Sequence, residues 1–157
     1  MLLQRFVLVF VHHTYRSGSQ SEALGGPFFY VVIVSLAILL FWQDNPIGII
    51  ALSAMAAGDG LADLVGRRYG HSNKWWFNKN KSIAGTTAFW LGSTACAGLL
   101  LTTMSIPLSS TLPLPSWLLI TGILLATALV EVIPANLDDN WIVPLSAALL
   151  SWLVFAS

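Results

Sequence analysis

Charge is scarce in this sequence. Seven Lys and Arg residues balance seven Asp and Glu residues, so charged groups make up 9% of 157 residues and the formal net charge is zero. A chain without a basic excess carries no global field for nucleic acid. One cysteine, Cys96, lies inside an apolar run. It excludes an internal disulfide and any metal site built on cysteine, and reads as a small packing residue. No GxxxxGK[ST] loop and no GxGxxG fingerprint occurs, so neither of the common glycine-loop phosphate cradles is present. Internal repeats and low-complexity tails are also missing.

What remains is apolar. Hydrophobic residues make up 56% of the chain and the mean hydropathy is +0.76. A soluble protein of this composition would have too few polar side chains to clothe its surface. The expected fold is therefore all-α: a polytopic transmembrane helical bundle with about four to five spans, in a single membrane-embedded domain over residues 1–157.

Apolar runs mark the candidate helices. Pro27 to Trp42 is uncharged with aromatics at both ends, as expected at a membrane interface. Pro46 to about Val65 opens on a proline and carries two aspartates near its far end. Thr87 to Ile106 is long enough to span, and Trp117 to Ile133 and Trp141 to Ala156 are shorter runs that open on tryptophan. Ser105 to Ser116 is a loop, because its repeated prolines cannot continue a helix. The N-terminal "MLLQRFVLVFVHHTYR" is too short to span alone and lacks a signal-peptide cleavage pattern, so it reads as the tail of a longer helix.

Counting loops alternately across a bilayer sorts the charge. His12–Gly26, Gly66–Gly85 and Pro134–Asn140 fall on one side, with six of the seven basic residues. The positive-inside rule assigns that side to the cytoplasm or its organellar equivalent. Glu22, Asp138 and Asp139 join it, with Asp59, Asp63 and Glu131 expected just beneath the membrane surface.

Asp59 and Asp63 are four apart, so a helix stacks them one turn above the other. Like charges so placed repel, and near a membrane each carboxylate costs roughly 2.5–3.5 kcal/mol by insertion scales. A divalent cation would compensate both, and magnesium prefers one or two carboxylates with phosphate oxygens and waters. Pairing with Arg67, Arg68 or a nearby lysine would compensate them equally. Gly58, Gly60, Gly66 and Gly70 permit either close helix packing or backbone approach to phosphates. "NKNKS" (Asn78 to Ser82) alternates amides with ammonium groups, a pattern suited to polyphosphate or to anionic lipid. "WWF" (Trp75 to Phe77) reads as an interfacial anchor. Glu131 ends an otherwise uncharged span, a depth at which a carboxylate is a functional candidate. Asp138 and Asp139 could face one ion from a turn, or one could cap the following helix. The three histidines show no ligand spacing.

Three blocks together resemble the membrane polyprenol kinases, a family that includes phytol, farnesol and dolichol kinases. "RSGSQSEALGGPFFYV" (Arg16 to Val31) comes first, "GDGLADLVGRRYG" with "NKNKSIAGT" is similar to the central signature, and "EVIPANLDDNWIVP" (Glu131 to Pro144) matches the C-terminal block. The resemblance implies phosphoryl transfer, typically from CTP, to the hydroxyl of phytol, farnesol or geranylgeraniol dissolved in the bilayer. By that likeness Asp59 and Asp63, with Asp138 or Asp139, would hold Mg2+. Arg67, Arg68, Lys79, Lys81, Ser82, Gly58 and Gly60 would contact the nucleotide phosphates, and Glu131 would accept the alcohol proton. A chloroplast membrane is the expected location if the source is a plant or alga.

A looser likeness links the central block to phosphatidate cytidylyltransferases. The CDP-alcohol phosphotransferase pattern fails, since Asp63 and Leu64 stand where alanine and arginine belong. Family members usually carry further N-terminal spans with an Arg-Lys and His motif. The chain therefore reads as the C-terminal portion of the usual length: a fragment, a truncated gene product or a shortened relative. An ion-coupled transporter and a non-catalytic membrane subunit are the alternatives from other classes.

Overall fold

Without water to satisfy backbone groups, an apolar chain must close its hydrogen bonds within each segment, and helices do so. The computed structural model describes residues 45–106, 108, 115–134 and 139–155, with five isolated positions between 31 and 39. Among the described residues there are helices and no strands. The run Pro27 to Trp42 lies mostly outside them, as do Arg16, Glu22 and the N-terminal segment.

Four helices follow one another. Helix α1 runs over Ile47–Tyr69 as one continuous rod, α2 over Ile83–Thr103, α3 over Ser116–Val132 and α4 over Asp139–Phe155. At 1.5 Å per residue α1 is about 34 Å long and α2 about 31 Å, each matching a hydrocarbon core of about 30 Å. These two are long and apolar enough to cross a membrane; α3 and α4 are shorter apolar helices. Helix α1 packs on α2 and α4, and α3 packs on α2 and α4, closing a ring.

The centre is built of Ile50, Ala54, Phe89, Ala97, Ile120, Leu124, Ala128, Val143 and Ala147, all fully or almost fully buried. The exterior is apolar too: Leu64, Leu91, Leu99, Leu118, Leu145, Leu149 and Leu153 all face outward. Three buried hydroxyls turn back on their own helices, whereas those of Ser53 and Thr94 have no hydrogen-bond partner among the described residues. Ser93 donates to the Phe89 carbonyl, Thr127 to Ile123 and Ser151 to Ala147. Such back-bonds satisfy a hydroxyl that has no other partner in an apolar interior.

Two boundaries depart from the sequence expectation. Helix α1 continues past Val65 to Tyr69, so Arg67 and Arg68 lie in its last turn and not in a loop. Cations there complement the negative end of the helix dipole. Helix α2 starts at Ile83, four residues before Thr87, because Ser82 caps it: its Oγ accepts from the Gly85 N–H at 3.0 Å. At the far end of α2, Ser105 adopts φ 53°, and Ile106 N–H donates to the Leu101 carbonyl. This left-handed closure ends the helix before the prolines begin.

The crossing of α1 on α2 depends on missing side chains. A Cβ on Gly85 would stand 3.1 Å from the Ala62 carbonyl, and one on Gly58 would stand 2.9 Å from the Phe89 ring. Around Gly60 nothing lies within 4 Å. Gly58→Val should therefore lower stability by roughly 1–3 kcal/mol through overpacking. Gly60→Ala should be neutral or stabilising by up to about 1 kcal/mol. Unfolding in detergent checks the pair; equal effects would remove the packing assignment of Gly58.

Candidate functional site

The link from α1 to α2 is short and apolar-flanked, so its polar groups must find partners locally or at the neighbouring helix ends. Residues 74 and 82 pair in an isolated antiparallel bridge that draws the intervening loop into a hairpin. Trp75 N–H donates to the Lys81 carbonyl at 3.2 Å, and Ile83 N–H to the Asn73 carbonyl at 2.9 Å. The Trp75 indole donates to Thr86 Oγ1 at 3.0 Å, and that hydroxyl donates to the Ser82 carbonyl. Trp75 thus pins the loop to the first turn of α2. Its neighbours Trp76 and Phe77 stack edge to face and are exposed, Trp76 by 87%.

The loop is also tied to the end of α3. Asn78 Nδ2 donates to the Val132 carbonyl at 2.8 Å, filling one of the acceptors that the last turn leaves open. Lys81 Nζ meets Glu131 Oε1 at 2.5 Å, with the Glu131 side chain only 5% exposed and Lys81 25%. Between these two ties, Lys79 and Asn80 face solvent, and Asn80 N–H is held by Asn78 Oδ1 at 3.1 Å. Lys79 makes no ion pair or hydrogen bond among the described residues.

The sequence-nominated residues therefore fall into distinct surroundings. Asp63 is gripped by Arg67 through both guanidinium nitrogens, Nε to Oδ1 at 2.7 Å, so the arginine pairing foreseen as one means of compensation is formed there. Both side chains are more than half exposed. Arg68 leans over the Tyr69 ring at 5.6 Å. Gly58 is buried beneath Phe89, which closes its backbone to a phosphate, whereas Gly60 is open. Ser82 is 4% exposed and its oxygen serves as the α2 cap, which occupies it away from any nucleotide.

Asp59 differs most from expectation. It ends a π-helical segment, Ala54–Asp59, in the middle of α1, and Gly60–Tyr69 then resumes α-helical geometry. Ten positions before Tyr69, Asp59 lies about 15 Å below the helix end. The polar set therefore extends from the loop well into the bundle instead of stopping at its surface. π-segments concentrate at functional positions, and no sequence period announces one.

Asp138 and the side chain of Asp139 lie outside the described residues, although Asp139 begins α4. Among the described residues no three His, Cys, Asp or Glu side chains gather into a metal set. Asp59 and Asp63 remain one turn apart on one helix. Two hard oxygen donors fit Mg2+, which takes few carboxylates and fills its other positions with phosphates and water. Sequence reasoning missed Asn78 and Trp75 as structural ties; the alternation of "NKNKS" was the available signal for the former, and the latter had none.

Fold and site together define an apolar helical bundle whose ionisable groups run from mid-helix Asp59 to one loop end. Comparison with curated proteins gives the family. A probable phytol kinase, chloroplastic, of Triticum aestivum is 40% identical over 148 residues, covering 90% of this chain and 48% of its own. A probable phytol kinase 1, chloroplastic, of Oryza sativa subsp. japonica is 41% identical over 146 residues, covering 89% and 45%. Farnesol kinase, chloroplastic, of Arabidopsis thaliana is 38% identical over 146 residues, covering 89% and 46%. No family model and no solved structure matches. These likenesses, at about 40% identity over most of the chain, support assignment to the polyprenol kinase family, and the chain spans about half the length of the curated relatives it matches.

The two ion pairs should respond very differently to loss of the cation. Lys81→Met removes the ammonium partner of a buried carboxylate and should cost about 3–5 kcal/mol. Arg67→Met breaks an exposed i,i+4 pair and should cost less than about 1 kcal/mol. Denaturant unfolding of the two variants measures the contrast; equal losses would refute the burial argument for Glu131.

Proposed function

We propose that this chain carries the phosphoryl-transfer face of a multi-pass membrane isoprenoid-alcohol kinase. The donor is a nucleoside triphosphate, CTP by family likeness, and the acceptor is phytol, farnesol or geranylgeraniol. The observation that carries the reading is about 40% identity to phytol kinases over nine-tenths of the chain. The outward leucines and the two long apolar helices support placement in a membrane, and the relatives' chloroplastic names support a plastid membrane.

Phosphoryl transfer asks mainly for positioning and for charge opposite the transferring oxygens. Asp59 and Asp63, one turn apart, would hold Mg2+, which when bound neutralises phosphate oxygens. Lys79 reaches outward from the loop and supplies a point charge for the polyphosphate. Arg68 lies in the last turn of α1. Arg67, exposed and paired with Asp63 among the described residues, would be available to a phosphate if Asp63 held the cation. The acceptor's tail lies among apolar helices, and its hydroxyl reaches the level of Asp59, below the loop. The triphosphate would extend inward from Lys79 so that its terminal phosphate and the alcohol hydroxyl meet within bonding reach at the level of Asp59 and Asp63.

The protein in detergent, supplied with labelled CTP and phytol, should yield an isoprenyl monophosphate only with magnesium present. Asp59→Asn should lower turnover by at least about a hundredfold while the protein still folds. Release of pyrophosphate with a CDP-lipid product would instead mark a cytidylyltransferase. No product from any isoprenol would sink the kinase reading for this chain.

A further inference from the structure

In the loop Asn78–Ser82, three side chains are tethered and the two between them face solvent. Asn78 binds the Val132 carbonyl, Lys81 binds the buried Glu131 carboxylate, and Ser82 caps α2. Lys79 and Asn80 point away from the protein. Both tethers end on adjacent residues of one helix terminus, Glu131 and Val132, fifty or more positions along the chain. That terminus is fixed in turn, because Ile133 is extended and Pro134 stops the helix.

From this the geometry points to a role for Glu131 that differs from proton acceptance: Glu131 is a positioning residue. Through Lys81, and jointly with Asn78, it latches the 74–82 loop to α3 so that Lys79 is held out to meet the donor's polyphosphate. The inference rests on the kinase reading above for the identity of the ligand, but the latch itself rests on geometry alone. A buried carboxylate whose ammonium partner lies on a loop is suited to this. The ammonium offsets part of the carboxylate's desolvation while the loop is docked, so the ion pair and the loop conformation favour one another. Lys81 is then engaged by the protein, and the neighbouring Lys79, exposed and without an ion pair among the described residues, is available to phosphate. Preorganising the loop lowers the ordering cost of binding the nucleotide and leaves the chemical step untouched.

The test uses the full-length protein in lipid nanodiscs and the variants Glu131→Gln, Asn78→Ala and Lys79→Ala. With CTP and phytol, Glu131→Gln should raise the nucleotide KM about tenfold while kcat and the alcohol KM change by less than about threefold. Asn78→Ala should act in the same direction. In both, the amides of Trp75, Lys81 and Ile83 should exchange with deuterium at least about tenfold faster, since the loop's own hydrogen bonds open. Lys79→Ala should raise the nucleotide KM with exchange unchanged. A loss of kcat in Glu131→Gln with unchanged nucleotide KM and unchanged exchange would overturn the latch and make Glu131 the proton acceptor. If the unaltered protein phosphorylates no isoprenol, the functional reading fails; the exchange data then decide the latch, and unchanged amides in both tether variants refute it. Should Glu131→Gln fail to fold, Asn78→Ala, which removes no charge, carries both readouts.

Discussion

Everything at the polar end depends on how closely α1 approaches α2. The approach is possible because Gly66 and Gly85 face one another without side chains, with Ser82 wedged beside them. A Cβ on Gly66 would meet Ser82 Oγ at 3.5 Å, and one on Gly70 would meet it at 2.5 Å. In an apolar surrounding, helices gain little from burying more apolar surface, so close van der Waals packing between small residues has to hold them. Ser82 does two things in this contact. Its hydroxyl fills the space beside the glycines, and it caps α2 through the Gly85 N–H. The start of α2 is thus set by the crossing, and the start of α2 sets where the loop can lie.

Charge is distributed by the same logic of depth. Inside the bundle the buried polar groups among the described residues are mostly hydroxyls, at Ser53, Ser93, Thr127 and Ser151. A hydroxyl can be satisfied by its own helix, whereas a carboxylate needs a cation or a metal. Glu131, buried at the end of α3, accordingly has the ammonium of Lys81 at 2.5 Å. Asp63, near the exposed end of α1, has a solvated arginine whose contribution is small and exchangeable. The buried pair is a structural commitment and the exposed pair is a reserve. That difference in burial assigns Lys81 to the protein and leaves Arg67 able to turn toward a ligand.

The helical class and four of the apolar segments were legible in the sequence, because long uncharged runs bounded by proline and tryptophan admit little else. The boundaries were less so. The run of α1 was read as ending at Val65, since Gly66 and the arginines looked like loop; helix continuation there relies on Gly66 packing against Ser82 and Gly85, a tertiary contact that no local pattern encodes. Helix α2 starts four residues before the apolar run at Thr87, from the Ser82 cap, which lies in a polar stretch that hydropathy does not mark as helix. At the site, the clustering of charge was legible from loop counting, and the arginine partner of Asp63 was visible from i,i+4 spacing. The union of Lys81 with Glu131 joins residues 50 positions apart. Only the alternation of the helices brings them together, and nothing in either local sequence names the other.

Asp59 weighs most in choosing between an enzyme acting at the surface and a path through the bundle. Sequence counting set it beneath the interface, and there a carboxylate could serve either purpose. Its position at the close of a π segment, about 15 Å from the end of α1, gives the polar set depth. A transporter needs ionisable groups near the middle flanked by a route to both sides, commonly with half-helices repeated in inverted order. Here the irregularity is a single π turn in one unbroken helix, and the interior beyond it, toward the Ser105 end, is lined by Ala54, Ala97, Ile120 and Leu124. Among the described residues the polar set therefore begins at the loop, and the packing beyond Asp59 is mainly apolar, with the Ser53 hydroxyl buried in it. The isoprenoid-alcohol kinase proposed above would take one reactant from water and the other from among the helices, and a polar set that runs from the loop along α1 suits it. In such a reaction the deepest carboxylate belongs at the level of the lipid-borne hydroxyl, and the outermost lysine belongs at the level of the nucleotide.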